Sequence, residues 1–237
     1  MDKLRILCLH GYHGSGDILR RQMSSLIEGL QALAEFVYLD APSLASGDFG
    51  WWHARSPAAS RDAGVGPAQK RYEGWERTVE SVARAFAVHG PFDGVFGFSQ
   101  GASLTSLLVG LRSPDGRLTE AKPIAFGFAV MVGGFPGADH VLAKLYSEEP
   151  SYDLPSVHVV GLGDGIVPAP LSHALASVFK NAFILEHAGG HVIAATPEIR
   201  KGFQSFLEDM LHRKAAALIF DDRRSNGEPP PACVRGT

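Results

Sequence analysis

Short apolar runs alternate with longer segments of helical period along nearly the whole chain, and few folds accommodate that alternation. Leu4-Arg5-Ile6-Leu7-Cys8-Leu9 is almost continuously apolar, as a strand buried on both faces must be. From about Ile18 to Ala34, the residues Leu19, Met23, Leu26, Ile27, Leu30 and Leu33 recur in steps of three and four, which predicts an amphipathic helix. Further strands are expected at Glu35–Leu39, Phe92–Phe96, Ile124–Val132, Val157–Gly161 and Ala182–Glu186. Between and after them, helices are expected at Trp75–Val88, Gln100 to about Leu111, Leu171–Phe179 and Glu198 to about Leu218. Strands separated by helices imply parallel βαβ units and a compact, doubly wound, mostly parallel sheet with helices on both faces.

Two stretches stand outside this order. Residues 43 to 72 show no period and are rich in Gly, Ser, Ala and Pro, so a long loop or lid is expected at about 43–74. From Asp221 onward, polar residues and three consecutive prolines predict a flexible tail, 221–237. The remainder, 1–220, is read as a single domain.

Composition narrows the function classes. Of 237 residues, 45% are hydrophobic and 20% charged, an ordinary globular balance, and the net charge of −3 offers no footprint for nucleic acid. No apolar run has the length of a membrane span or of a secretory leader, so a cytoplasmic protein is expected. The two cysteines, Cys8 and Cys233, lie in unlike surroundings and do not form a disulfide framework or a zinc-ligand spacing.

Gly97-Phe98-Ser99-Gln100-Gly101 matches G-x-S-x-G and falls where an expected strand passes into an expected helix. In that context the turn must be sharp enough to lift the serine hydroxyl above the sheet edge, and glycines on either side relieve the crowding. A serine hydroxyl becomes a useful nucleophile only when a base takes its proton and an acid orients the base. Asp164 follows the strand ending at Gly161, and His191 follows Glu186 through Ala188-Gly189-Gly190. Nucleophile, acid and base then come in that order, each after a different strand and all at one sheet edge. His187 is the rival base, while Asp139 and Asp153 are expected to be solvated carboxylates.

The turn after the first strand, Leu9-His10-Gly11-Tyr12, would bring the backbone N–H of Tyr12 beside the nucleophile. With the N–H of Gln100 it would form an oxyanion hole. Its glycines, at 11, 14 and 16, match neither a dinucleotide fingerprint nor a phosphate loop. A metal site built from His10, His13 and Asp164 is disfavoured. Trp51 and Trp52 of the long loop, with Phe135, Ile166 and Val192 beside the catalytic loops, are expected to line an apolar acyl pocket.

In combination, these stretches resemble the FSH family of serine hydrolases, compact members of the α/β-hydrolase fold. The matching residues are Leu7–Tyr12, Gly50-Trp51-Trp52, Gly90–Ala102, Gly161–Asp164 with Val167-Pro168, and Glu186–His191, spread over roughly residues 4 to 212. The resemblance implies a Ser99–Asp164–His191 triad, oxyanion donors at Tyr12 and Gln100, no cofactor, and hydrolysis of carboxylic esters or thioesters. The expected partner is a small-molecule acyl ester or thioester. A chain released from an acyl carrier protein is a more specific alternative, and a non-catalytic ligand-binding relative is another.

Overall fold

Leu4–Leu9 forms β1, a buried strand with Ile6 and Cys8 facing one side of the sheet and Leu7 and Leu9 the other. The computed structural model describes residues 3–42, 50–55, 70–111, 124–146 and 152–225. Around β1 run five parallel strands: β2 (Ala34–Leu39), β5 (Gly94–Phe98), β6 (Phe128–Val132), β7 (Ser156–Gly161) and β8 (Ala182–His187). Their spatial order is β2-β1-β5-β6-β7-β8. The chain goes one way from β1 to reach β2 and the other way to reach β5, which makes the β1/β5 boundary the switch point where α/β sheets open a crevice.

Because side chains alternate across a strand, the sheet buries two cores. On one face, Ile6, Cys8, Phe96, Phe98, Val130 and Val157 meet α1 (Gly16–Ile27) and α5 (Pro197–Ser225). On the other, Leu7, Leu9, Val95 and Met131 meet α2 (Trp75–His89), α3 (Gln100–Leu111) and Leu175 of α4 (Ala169–Ala176). This is the doubly wound, parallel arrangement that the alternation of elements predicts.

Several boundaries differ from the expected ones. The first helix stops at Ile27, because Gly29 takes a left-handed φ of 83° and the chain continues through tight turns to Ala34. Leu30 is still buried there, so apolar spacing outlasts the helix. Ile124 and Phe126 are likewise buried without being strand, and β6 begins at Phe128. Helix α5 runs to Ser225, past the expected start of the tail, and residues 226–237 lie outside the described ones.

Much of the expected loop at 43–74 also lies outside them. Its described parts contain a short antiparallel pair that periodicity did not predict, β3 (His53–Arg55) with β4 (Arg71–Glu73). Asp139 is a second correction. It is buried, and its carboxylate accepts the N–H groups of Tyr72, Val141 and Leu142 at 2.8, 2.9 and 3.1 Å. Asp153 is the exposed acid that was expected, 3.5 Å from Lys180.

His158 on β7 is buried against Phe179, and burial depresses its imidazole to about 3. The unfolded chain therefore binds a proton here that the folded chain refuses. Stability is complete above the ordinary imidazole range and falls as pH drops from about 6.5 toward about 3. His158→Gln, which keeps a hydrogen-bonding group near Ser156, is expected to flatten that fall by up to ~1.4 kcal/mol per pH unit. Urea unfolding at neutral and mildly acidic pH measures the slope, and equal slopes in both proteins would refute it.

Candidate active site

The β5–α3 junction is a sharp elbow. Ser99 stands between strand and helix with φ of 55°, a left-handed conformation that non-glycine residues seldom adopt. Packing at the elbow explains the flanking glycines. A Cβ on Gly97 would lie 2.2 Å from the Gly101 carbonyl oxygen, and one on Gly101 would lie 2.1 Å from that of Leu9. The close approach of α3 to the end of β1 is what sets the β1 turn beside the nucleophile. A Cβ on Gly11 would be 3.2 Å from that of Ser99.

Ser99, His191 and Asp164 meet in one line. The Ser99 Oγ is 2.8 Å from His191 Nε2, and His191 Nδ1 is 2.6 Å from Asp164 Oδ2. The other carboxylate oxygen, Oδ1, accepts the N–H groups of Ile166 and Val167, each at 2.8 Å. Burial by itself would push the Asp164 carboxyl up. The hydrogen bond with His191 and the two peptide donors outweigh that effect and hold it below the usual carboxylate range. The acid is thereby kept as an oriented anion. Facing an anion, the imidazole carries its proton on Nδ1 and leaves Nε2 free to accept from the serine.

The two loops that carry acid and base are stitched to each other. Leu162 N–H donates to the His187 carbonyl and Gly163 N–H to that of Gly189. His187, the rival base, is buried, its Nδ1 accepting the Gly189 N–H at 3.1 Å, while Ser99 Oγ meets His191 instead. Two neighbours of His191 escaped the sequence analysis. Phe98 stacks obliquely 4.9 Å from its ring, and Gly133, at φ of 56°, leaves room where a Cβ would come within 3.1 Å of it. A glycine directly after a predicted strand was the available signal for the second.

Gln100 is the first residue of α3, so its backbone N–H is one of the donors that a helix start leaves without an intrahelical partner. Its side chain has a separate task. The amide accepts the Trp51 N–H at 3.0 Å and donates to the Trp52 carbonyl at 2.8 Å. Thr78 Oγ1 donates to the Trp51 carbonyl, and the Trp51 indole donates to the His10 carbonyl at 2.7 Å. His10 itself donates from Nδ1 to the Gly11 carbonyl and accepts the Ala41 N–H on Nε2, a fixed tautomer that suits a structural residue. The indole found its acceptor inside, so Trp51 is fully buried and does not line the cavity, contrary to expectation. Gln100→Leu would leave the Trp51 N–H and the Trp52 carbonyl buried and unpaired. It is expected to cost ~2 kcal/mol in urea unfolding and to raise KM, because Trp52 walls the cavity.

That cavity, about 640 Å³, opens at Ser99. Trp52, Phe135 and Ile166 line it, whereas Val192 is exposed beside Gly189 and is not among the lining residues. Tyr12 is half-exposed on the wall, with its hydroxyl 3.2 Å from His53 Nδ1. Among the described residues no three His, Cys, Asp or Glu side chains stand together as a metal site would need, and no helix is long and apolar enough to cross a membrane.

Comparison with known proteins decides the family. The model of the serine hydrolase family FSH1 matches residues 1–202. The chain belongs to that family. It is 34% identical over 221 residues to the Drosophila melanogaster esterase CG5412, covering 89% of this chain and 75% of that protein. It is also 34% identical to the human esterase OVCA2, over 86% of this chain and 96% of that one. Among solved structures, the Zea mays acyl-protein thioesterase 2 superposes with a TM-score of 0.60 at 24% identity, over 89% of this chain and 95% of the other. At that identity the likeness is one of fold.

Proposed function

We propose that this FSH1 serine hydrolase cleaves carboxylic esters or thioesters through an acyl-enzyme formed on Ser99. The observation that carries the proposal is the hydrogen-bonded line from Ser99 through His191 to Asp164 at the carboxyl edge of the sheet. His191 Nε2 takes the hydroxyl proton as Ser99 Oγ attacks the acyl carbonyl. The resulting oxyanion is held by the backbone N–H groups of Gln100 and Tyr12, which are worth most where charge develops only in the tetrahedral intermediate. Collapse of the intermediate breaks the bond to the leaving alcohol or thiol, to which His191 returns the proton. Water, activated by the same imidazole, then releases the acid. Asp164 keeps the imidazole in the tautomer that both half-reactions require.

Fluorophosphonate labelling tests this directly, together with hydrolysis of p-nitrophenyl esters of increasing chain length. Labelling confined to Ser99 with ester turnover is the expected result, and the best chain length measures how much of the cavity the acyl group fills. Folded protein that neither labels nor turns over would favour the ligand-binding alternative instead.

Acyl transfer from a carrier protein is a finer form of the same proposal. It is supported by the apolar mouth, where the lining residues Ile166 and Leu171 are exposed at 74% and 46%. Solvent-exposed apolar side chains gathered at one opening suit a docking partner. A carrier-bound thioester cleaved no faster than the free thioester of the same acyl group would exclude it. A cytoplasmic setting belongs to the same reading and is supported by Cys8, a free, buried thiol.

A further inference from the structure

The cavity wall has two unlike halves. Phe135, Pro136, Ile166, Val167 and Leu171 make one half, all apolar. The other half comes from the β3–β4 hairpin, its flanks and the β1 turn, and it includes Tyr12, His53, Tyr72 and Lys70. Among the described residues no aspartate or glutamate lines the cavity, although the chain holds 25 of them against 22 lysines and arginines. Among those residues Lys70 is the wall's single permanent charge.

That charge has no internal counter-ion among the described residues. Asp139, which bridges to Lys70 along the backbone, spends its carboxylate on the N–H groups of Tyr72, Val141 and Leu142. Glu73, farther along β4, is bonded to Arg55 at 2.7 Å. The lysine's backbone is meanwhile fixed, its carbonyl accepting the His140 N–H at 3.0 Å. Lys70 thus stands exposed at the wall of a partly apolar cleft, with the neighbouring described acids already committed. His53 stands on the same half, and when the Tyr12 hydroxyl donates to its Nδ1 its Nε2 carries a second N–H donor.

We propose that Lys70 selects esters or thioesters bearing a carboxylate or phosphate on the part of the substrate that reaches its end of the cavity. The inference rests on the ester-hydrolase reading and narrows it to anionic substrates. A cation facing a cleft of low dielectric attracts an anion more strongly than it would in open water. The partner is assigned to the substrate, since the described residues supply none.

The test compares wild type with Lys70→Met on p-nitrophenyl hexanoate and on the mono-p-nitrophenyl ester of adipic acid, which places an anion on the acyl side. Phenyl hexanoate and para-carboxyphenyl hexanoate form a second pair, with the anion on the leaving group. For one of the two pairs, the anionic-to-neutral ratio of kcat/KM is expected to fall about 5-fold in the variant, mainly through KM. The preference should shrink with added salt, as an exposed ion pair requires. Lys70→Glu should reverse it. The pair that responds shows whether the acyl or the leaving side meets Lys70.

Unchanged ratios in both pairs, with neutral esters still hydrolysed, would overturn this inference and leave the hydrolase reading standing. A wild-type protein that hydrolyses no ester and does not label would sink both. Calorimetric titration of Ser99→Ala with monomethyl adipate reads the same preference without turnover. Binding that is no weaker in the Ser99→Ala/Lys70→Met double variant would argue against it independently.

Discussion

Ser99→Ala is expected to lower kcat for a good ester by a factor on the order of 10⁶, with the fold retained. Among the described residues the serine hydroxyl's one bond is its contact with His191, so removing it disturbs little packing. What it removes is the atom that makes and breaks the covalent bond. Fluorophosphonate labelling should vanish in parallel. Turnover within tenfold of wild type would show that acyl transfer occurs elsewhere. The backbone adds a companion expectation. Ser99 sits at φ of 55°, where a Cβ is strained and glycine is not. Ser99→Gly should therefore be as inactive as Ser99→Ala yet more stable than it by ~1 kcal/mol in urea unfolding.

Asp164→Asn should lower kcat by about 10⁴-fold while leaving the melting temperature nearly unchanged. The size of the effect follows from how the two carboxylate oxygens are used. One accepts the Ile166 and Val167 N–H groups and must remain an oxygen, so the new amide nitrogen is forced toward His191. An amide N–H there can only donate to Nδ1. That pushes the imidazole proton to Nε2, where it faces the serine and prevents proton acceptance. Steady-state kinetics with a p-nitrophenyl ester, alongside thermal unfolding, tests both halves. A loss of less than tenfold would mean that Asp164 does not set the tautomer.

The frame of the molecule is legible in its sequence because burial on both faces writes a strong pattern. Leu4–Leu9 and Val157–Gly161 are mostly apolar, interrupted by Arg5 and His158 respectively, since helices cover each side. The alignment of Ser99, Asp164 and His191 was legible for a related reason. Each follows a recognisable strand, and parallel strands deliver their ends to one edge. The β3–β4 hairpin was not legible, because three-residue strands with exposed polar side chains carry no period. Trp51 was misplaced in the pocket since aromatic type alone does not say where an indole N–H will find its acceptor. The buried role of Asp139 depends on peptide groups 67 residues distant as well as near ones, and only the folded chain brings them together. Lys70 went unnoticed in the same way, one lysine among many until its neighbours' commitments were known.

The parallel sheet has a final consequence for how the protein reaches its working form. The nucleophile and the base are 92 residues apart in the chain and sit on β5 and beyond β8, with β6 and β7 between them. No fragment lacking the last strand can align them, however well its first five strands have paired. Phosphonate reactivity recovered during refolding should therefore trail the regain of helical signal and report completion of the sheet's far side. For this enzyme, the chemistry itself is a clock for its own assembly.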